Sequence, residues 1–260
     1  RNAGVAAAQS EIVAVTDAGV RLGSDWLRLI TEPVLSGQKA VDVVCGFFVP
    51  DAHTPFERAM GATVLPAVEE IDPASFLPSS RSIAFRKSVW KQIGGYPEWL
   101  DYCEDVVFDL TLRRSLGARF VFEPRAVAYF RPRSDLGSFF RQYYRYARGD
   151  GEARLWPRRH LARYAAYLFV LAALQAVSAA ARGSAQQADK ARVMGLATLI
   201  GGALYLRRPV VRLLDQAGDA SLPELAAMLA LLPLIRLTGD VAKMVGYPVG
   251  WLWRLRRRPR

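Results

Sequence analysis

The chain has 260 residues, enough for one large domain or two small ones. A net charge of +11 and a pI near 10.0 point to an acidic partner, either anionic lipid or phosphate. The basic residues gather after Arg131 and crowd the borders of apolar runs, as in membrane proteins, so nucleic acid is set aside as a partner. Cys45 and Cys103 have no metal or redox spacing and read as buried thiols. His53 and His160 are too few for a histidine-built metal site.

In chain order, residues 1–8 read as a helix already in progress. No methionine or signal peptide precedes them, which suggests a chain whose N-terminal part is missing. Residues 11–16 are a short run rich in β-branched side chains, hence a buried strand. It ends at Asp17-Ala18-Gly19, on the sheet edge where open α/β folds bind ligands. A helix is expected after Ser24 or Asp25 as its cap, a strand over 41–49, a short strand over 82–85 and a helix over 87–93. The turn Gly94-Gly95-Tyr96-Pro97 leads to Glu104-Asp105, an acidic pair opening a helix to about residue 116, where the helix dipole favours negative charge. Late strands are expected over 119–122 and 126–130. Phe139, Phe140, Tyr143, Tyr144 and Tyr146, interleaved with Arg141, Arg145 and Arg148, fit an aromatic and basic helix at a membrane surface.

From about residue 164 the character changes. Residues 164–181 carry no charge and approach the ~20 residues that span a bilayer. Residues 193–206 are apolar but shorter. Residues 222–235 and 241–255 read as two further stretches, broken by Arg236, Asp240 and Lys243, with Trp251 and Trp253 as interface anchors. The runs show no ionisable pairs at mid-depth, which argues against a transporter. The soluble half and the basic run from Arg254 both prefer the cytoplasmic side of a cell membrane. This requires an even number of crossings: two spans with an interfacial or re-entrant pair, or four short spans.

Together, Asn2-x-Gly4, the strand into Thr16-Asp17-Ala18-Gly19, Trp26-Leu27, Ala84-Phe85-Arg86, Gly94-Gly95-Tyr96-Pro97, Glu104-Asp105, Gly117 and Gln142-x-x-Arg145-Tyr146 resemble a family 2 glycosyltransferase. The resemblance covers residues 1–155 and implies an α/β fold of GT-A type, a Rossmann-like mixed sheet flanked by helices. A C-terminal helical transmembrane region follows over 156–260. It implies inverting transfer of a sugar from a nucleotide diphosphate sugar to an acceptor, with a role in cell-envelope glycan synthesis. Asp105 matches the catalytic base, with Glu104 beside it. Asp17 matches the first position of the Asp-x-Asp motif that meets the donor and a divalent metal, Mg²⁺ or Mn²⁺. Gly19 stands where the second Asp is usual. Asn2, Gln142, Arg145 and Tyr146 fall to the donor side, with Tyr146 in place of the usual Trp. Arg81 and Ser82 fall to the acceptor side. The membrane segments suggest a lipid-linked acceptor. The alternative is a membrane-bound binding or scaffold protein that keeps the fold without turnover.

Overall fold

The computed structural model describes residues 1–36, 41–180, 183–218 and 220–257. Ala181 of the first apolar run and the last three residues of the basic run, 258–260, lie outside them. Five strands form one mixed sheet: β1 (Ile12–Val15), β2 (Arg21–Leu22), β3 (Val43–Pro50), β4 (Ile83–Arg86) and β5 (Phe120–Phe130). Their spatial order is β1-β4-β3-β5-β2, with β3 and β5 parallel and the other pairs antiparallel. The sheet carries the helices α1 (Asn2–Ala7), α2 (Trp26–Leu35), α3 (Pro55–Val64), α4 (Lys87–Gln92), α5 (Glu104–Ser115) and α6 (Leu136–Glu152). The long helices α7 (Pro157–Ala180), α8 (Ala185–Gln216) and α9 (Leu222–Arg257) follow.

Side chains alternate faces along a strand, and the core divides accordingly. Val43, Cys45, Ile83 and Phe85 point to one face, where they pack with Val5, Phe108 and Leu112 of α1 and α5. Val44 and Ala84 point to the other, where Trp26, Ile30 and Val34 of α2 cover them. Helices on both faces explain why β3 is an almost unbroken apolar run. The β3–β5 register shifts between Cys45 and Phe47, beside Gly46. A Cβ at Gly46 would collide with Ser82 Oγ and lie 2.6 Å from the Ala126 carbonyl oxygen.

Three local expectations change. The two late strands are one, β5, because the shift in register lets the chain bulge without leaving the sheet. Asp25 is the N-cap of α2, but neither it nor Ser24 caps through its side chain. The two apolar stretches after residue 222 are the single helix α9. The charges that seemed to interrupt it face protein. Asp240 accepts from Arg163 Nε (2.8 Å), Tyr167 Oη (3.1 Å) and Tyr205 Oη (2.6 Å). Lys243 lies over the Tyr143 ring and Arg236 over the Tyr205 ring. Arg163 and Asp240 thus form an ion pair among these helices, which the expectation of none at mid-depth does not address. It sits in the early turns of α7, near that helix's junction with the α/β half.

α7 and α9 are long and apolar enough to cross a membrane. They differ in surroundings: 6% of the apolar window of α7 is buried by protein, against 33% for α9. α9 packs with α3, α6 and α8 in a third core built on Phe139, Leu213, Met228, Leu232 and Ile235. Along the α6–α9 seam the backbones touch. A Cβ on Gly246 would meet the Tyr144 carbonyl oxygen, one on Gly250 the Arg148 carbonyl oxygen, and one on Gly151 the Tyr247 carbonyl oxygen. Only glycine permits that approach.

Candidate active site

The C-terminal end of β1 delivers Asp17 to a cleft of about 440 Å³, lined also by Gly19, Arg81, Arg131, Arg133, Gln142 and Tyr146. Asp17 pairs with Arg1 at 2.9 Å and approaches Arg81 at 4.0 Å. Arg81 comes from the segment before β4, and Arg131 and Arg133 from the chain leaving β5. Gln142 and Tyr146 sit one turn apart on α6. These last two form a single device: Gln142 Nε2 donates to Tyr146 Oη at 2.8 Å, Arg81 donates to the same hydroxyl at 3.4 Å, and Arg133 Nε donates to Gln142 Oε1 at 3.2 Å. The guanidinium of Arg81 also lies 4.3 Å from the Phe130 ring centroid. One carboxylate among several arginines makes a cleft whose chemistry suits a phosphate-bearing ligand, because the guanidinium fork matches phosphate oxygens.

The acidic pair lies beside this cleft. Cys103, the N-cap of α5, adopts a left-handed backbone with φ 65°. The two carboxylates that follow are held from different sides. Glu104 forms an ion pair with Arg1, whose guanidinium thereby bridges Glu104 and Asp17. Asp105 accepts from its neighbour's amide, Val106 N, at 2.8 Å and from Ser80 N at 3.5 Å. Ser80 precedes Arg81, so one short segment touches Asp105 with its backbone and the cleft with its side chain. The Cys103 thiol donates to the Tyr146 carbonyl oxygen at 3.3 Å. Burial, with Asp150 and Asp105 nearby, pushes that thiol well above its usual range, so it serves as packing and not as a nucleophile.

The predicted residues are thus distributed unevenly. Asp17, Arg81, Gln142 and Tyr146 meet in one cleft, with Glu104 and Asp105 adjoining. Arg81, expected on the acceptor side, lines the same cleft as Asp17, Gln142 and Tyr146, which were expected on the donor side. Arg145 is exposed, 5.8 Å from the Tyr102 ring centroid, and does not line the cleft. Asn2 is fully occupied elsewhere: its amide donates to Tyr96 O and Glu98 and accepts from Tyr96 N and Trp90 Nε1. It braces the Gly94-Gly95-Tyr96-Pro97 turn and does not line the Asp17 cleft. Ser82 is wholly buried, accepting from Trp26 Nε1 at 2.8 Å and donating to Ala126 O at 2.9 Å. That role is structural, and an acceptor sugar has no access to it.

The sequence reading missed Arg1, Arg131 and Arg133. The signal for the last two was present, since both follow the C-terminal end of a strand, the edge where ligands bind in such sheets. Arg1 gave no local signal. As for a metal, no group of three or more His, Cys, Asp or Glu among the described residues could hold an ion. Asp17 alone, with Gly19 two positions on and Arg1 and Arg81 against it, is not a self-sufficient ligand set.

No curated protein matches the chain. Among solved structures, the mannosyltransferase PcManGT from Pyrobaculum calidifontis, determined in complex with GDP-Man and Mn²⁺, is similar over 100% of this chain and 66% of that one. The identity is 17% and the TM-score 0.40. This chain therefore spans just under two thirds of that protein's length. The sequence motifs resemble family 2; the family model that matches, over residues 2–211, is that of glycosyl transferase family 21, and the chain belongs to that family.

Proposed function

We propose that this protein transfers a sugar, with inversion, from a nucleotide diphosphate sugar to an acceptor at the cytoplasmic face of a membrane, in cell-envelope glycan synthesis. One observation carries the reading: a cleft lined by Asp17, Arg81, Arg131, Arg133, Gln142 and Tyr146 adjoins a carboxylate, Asp105, at a helix N-terminus. In this scheme the donor diphosphate lies against Arg81 and Arg133, with Gln142 and Tyr146 fixing its orientation. Asp105 takes the proton from the acceptor hydroxyl as that oxygen bonds to the anomeric carbon. The bond from that carbon to the diphosphate breaks on the opposite face, and its electron pair leaves with the diphosphate, whose growing charge the arginines offset. A divalent cation would need the donor's own phosphates to complete the single carboxylate of Asp17, and it would supply further charge neutralisation to the leaving group.

The membrane part of the reading rests on where apolar side chains are left bare. Leu168, Leu171 and Leu174 of α7 and Leu196, Leu199 and Leu204 of α8 are all more than half exposed. Arg158 and Arg159, beside Leu110 and Arg114 of α5, and Arg208, 3.7 Å from Glu70, stand against the α/β half, as residues facing headgroups do. We read α7–α8 as the pair that enters the bilayer. α9 meets the length and composition test, but it is welded to α6 and α3, so we read it as lying along the interface. Such an arrangement keeps both the cleft and the C-terminus on one side and holds the site where a lipid-linked acceptor lies.

The test is Asp105→Asn, assayed for sugar transfer from UDP-, GDP- and dTDP-sugars to membrane lipid extract. Transfer is expected to fall by about 10²–10⁴-fold while nucleotide binding persists. Unchanged turnover would remove Asp105 as the base. Nucleotide binding without turnover in the unaltered protein would favour the binding-protein reading that Gly19 suggests.

A further inference from the structure

The turn between α6 and α7 carries a site that the scheme above does not use. Arg154 and Trp156 both hold a left-handed backbone, with φ 55° and 54°, which residues with side chains seldom adopt. The turn is fixed from within. Arg154 N donates to the Gly151 carbonyl oxygen at 3.3 Å and Leu155 N to that of Asp150 at 2.7 Å, while the Leu155 side chain is buried. The turn lines a cleft of about 510 Å³, where Arg154, Arg158 and Arg159 meet Arg114 and Leu110 of α5. No carboxylate lines it. The acids nearest in sequence, Asp150 and Glu152, are engaged by His160 at 3.2 Å and Arg148 at 2.8 Å. The Arg159 guanidinium lies 4.6 Å from the Trp156 ring centroid. Stacking on a ring orients a guanidinium without using its N–H donors, which suits it to an anion.

A second cleft, of about 490 Å³, shares Pro157 with the first. It lies between α7 and α9 and is lined by Leu161, Tyr164, Met244, Tyr247 and Trp251. Two polar groups on its wall are satisfied by protein. Tyr164 Oη donates to the Met244 carbonyl oxygen at 2.7 Å, and the His160 ring, stacked on Tyr247 with centroids 3.8 Å apart, meets Asp150 through Nε2. What is left for a ligand is mostly apolar.

A basic cleft and an apolar cleft that share the first residue of α7 suit a molecule with an anionic head and a hydrocarbon chain. Their place supports this occupant, because α7 leaves the α/β half here with Leu168, Leu171 and Leu174 bare. A nucleotide diphosphate sugar matches the charge of the basic cleft but has nothing to place in the apolar one. Leu110 and Arg114 lie about 9 and 15 Å along α5 from Glu104, at the helical rise of ~1.5 Å per residue. A head held there is not the group that reacts at Asp105.

We propose that these clefts bind one anionic phospholipid, with its phosphate among Arg114, Arg154, Arg158 and Arg159 and one acyl chain against Leu161, Tyr164 and Met244. The lipid is a structural ligand and not a substrate: it ties the start of α7 and the C-terminal half of α5 to the bilayer surface. The inference rests on the reading of α7 as a helix that enters the bilayer.

The experiment is native mass spectrometry of the full chain in detergent, given one of three probes. These are phosphatidylglycerol, phosphatidylcholine with the same acyl chains, and glycerol phosphate without chains. Phosphatidylglycerol should be retained roughly tenfold more strongly than phosphatidylcholine, and glycerol phosphate should not be retained. In the double variant Arg154→Gln, Arg158→Gln that retention should fall about tenfold or more, at roughly fivefold per arginine beside an anionic lipid. In Leu161→Gln it should fall a few-fold. All three side chains are exposed, so the fold does not depend on them. Equal retention of the two phospholipids by the unaltered protein overturns the proposal, and that arm needs no variant. Glycerol phosphate held as strongly as phosphatidylglycerol overturns it too, by showing an anion site without a chain. So does a phosphatidylglycerol preference that both variants keep. The bilayer reading fails by a different measurement: in vesicles, labelling of Leu171→Cys by a membrane-impermeant maleimide, beyond that of the unaltered protein, would take α7 out of the bilayer. The lipid preference is read in detergent and does not depend on that result.

Discussion

The two sides of α6 are held by different physics. Toward the cleft, Gln142 and Tyr146 make directional hydrogen bonds to each other and to Arg81 and Arg133. Toward α9, alongside the apolar packing of Phe139, the backbones themselves come together: Gly151 meets the backbone around Tyr247 and Trp251, and Gly246 and Gly250 meet the carbonyls of Tyr144 and Arg148. The first arrangement can lose a group and keep its shape. The second cannot gain an atom without separating two helices. The cleft side can thus tolerate chemical change, and position is set by the side that cannot.

The sharpest way to break this contrast is Gly250→Leu. The added side chain must displace the Arg148 carbonyl, and overpacking of this kind costs about 1–3 kcal/mol or more. A lowered thermal midpoint and faster proteolysis at the α6–α9 seam are expected, with transfer lost as a secondary effect. A midpoint equal to that of the unaltered protein would mean the seam is not tight. On the cleft side, Arg81→Ala should leave the midpoint nearly unchanged while weakening donor binding roughly ten- to a hundredfold, the worth of a charge-assisted hydrogen bond. Titration calorimetry with the donor reads this directly, and equal affinity would place the diphosphate elsewhere.

Asp109→Asn probes a third situation, a polar group inside the core. A carboxyl that is protonated in the fold but ionises in the unfolded chain makes stability fall as pH rises. The window runs from the ordinary carboxylate value, about 4, up to the folded value, which burial raises. The amide removes that slope, so the variant's midpoint should gain on the unaltered protein as pH increases. Parallel midpoint curves would show that Asp109 does not change protonation on unfolding. The smallest effect belongs to Tyr146→Phe. It removes the hydroxyl shared by Gln142 and Arg81, and a few-fold rise in donor KM is expected, about 1 kcal/mol, without change in stability. A loss as large as that for Arg81→Ala would instead make the tyrosine hydroxyl a direct donor contact.

Much of this molecule could be read before it was folded. Strand and helix positions along residues 12–130 follow from apolar period and turn chemistry, and those are local properties. The order Asp17, Gly94-Gly95-Tyr96-Pro97, Glu104-Asp105 and Gln142-x-x-Arg145-Tyr146 was enough to imply a glycosyltransferase, because chemistry concentrates in a few residues at set points of the chain. The role of each residue was less legible. Asn2 and Ser82 are polar residues in the right motifs, yet both are spent on internal hydrogen bonds. Which partner a polar side chain finds depends on what packs against it, as Trp90 and Trp26 do here. The same holds for Asp240, which breaks an apolar run in the sequence and joins three helices in the fold.

The sequence by itself determined the elements, the acidic pair at a helix start, the apolar character of the C-terminal half and the excess of positive charge. Each of these is a property of residues near one another in the chain. Only the tertiary structure decided that Arg1 bridges Asp17 to Glu104, that Arg131 and Arg133 line the cleft, that α9 is welded to α6, and that Asp109 is shut into the core one turn beyond Asp105. Those are contacts between distant segments, selected by burial and by close approach of backbones, and no local pattern encodes which segments will meet.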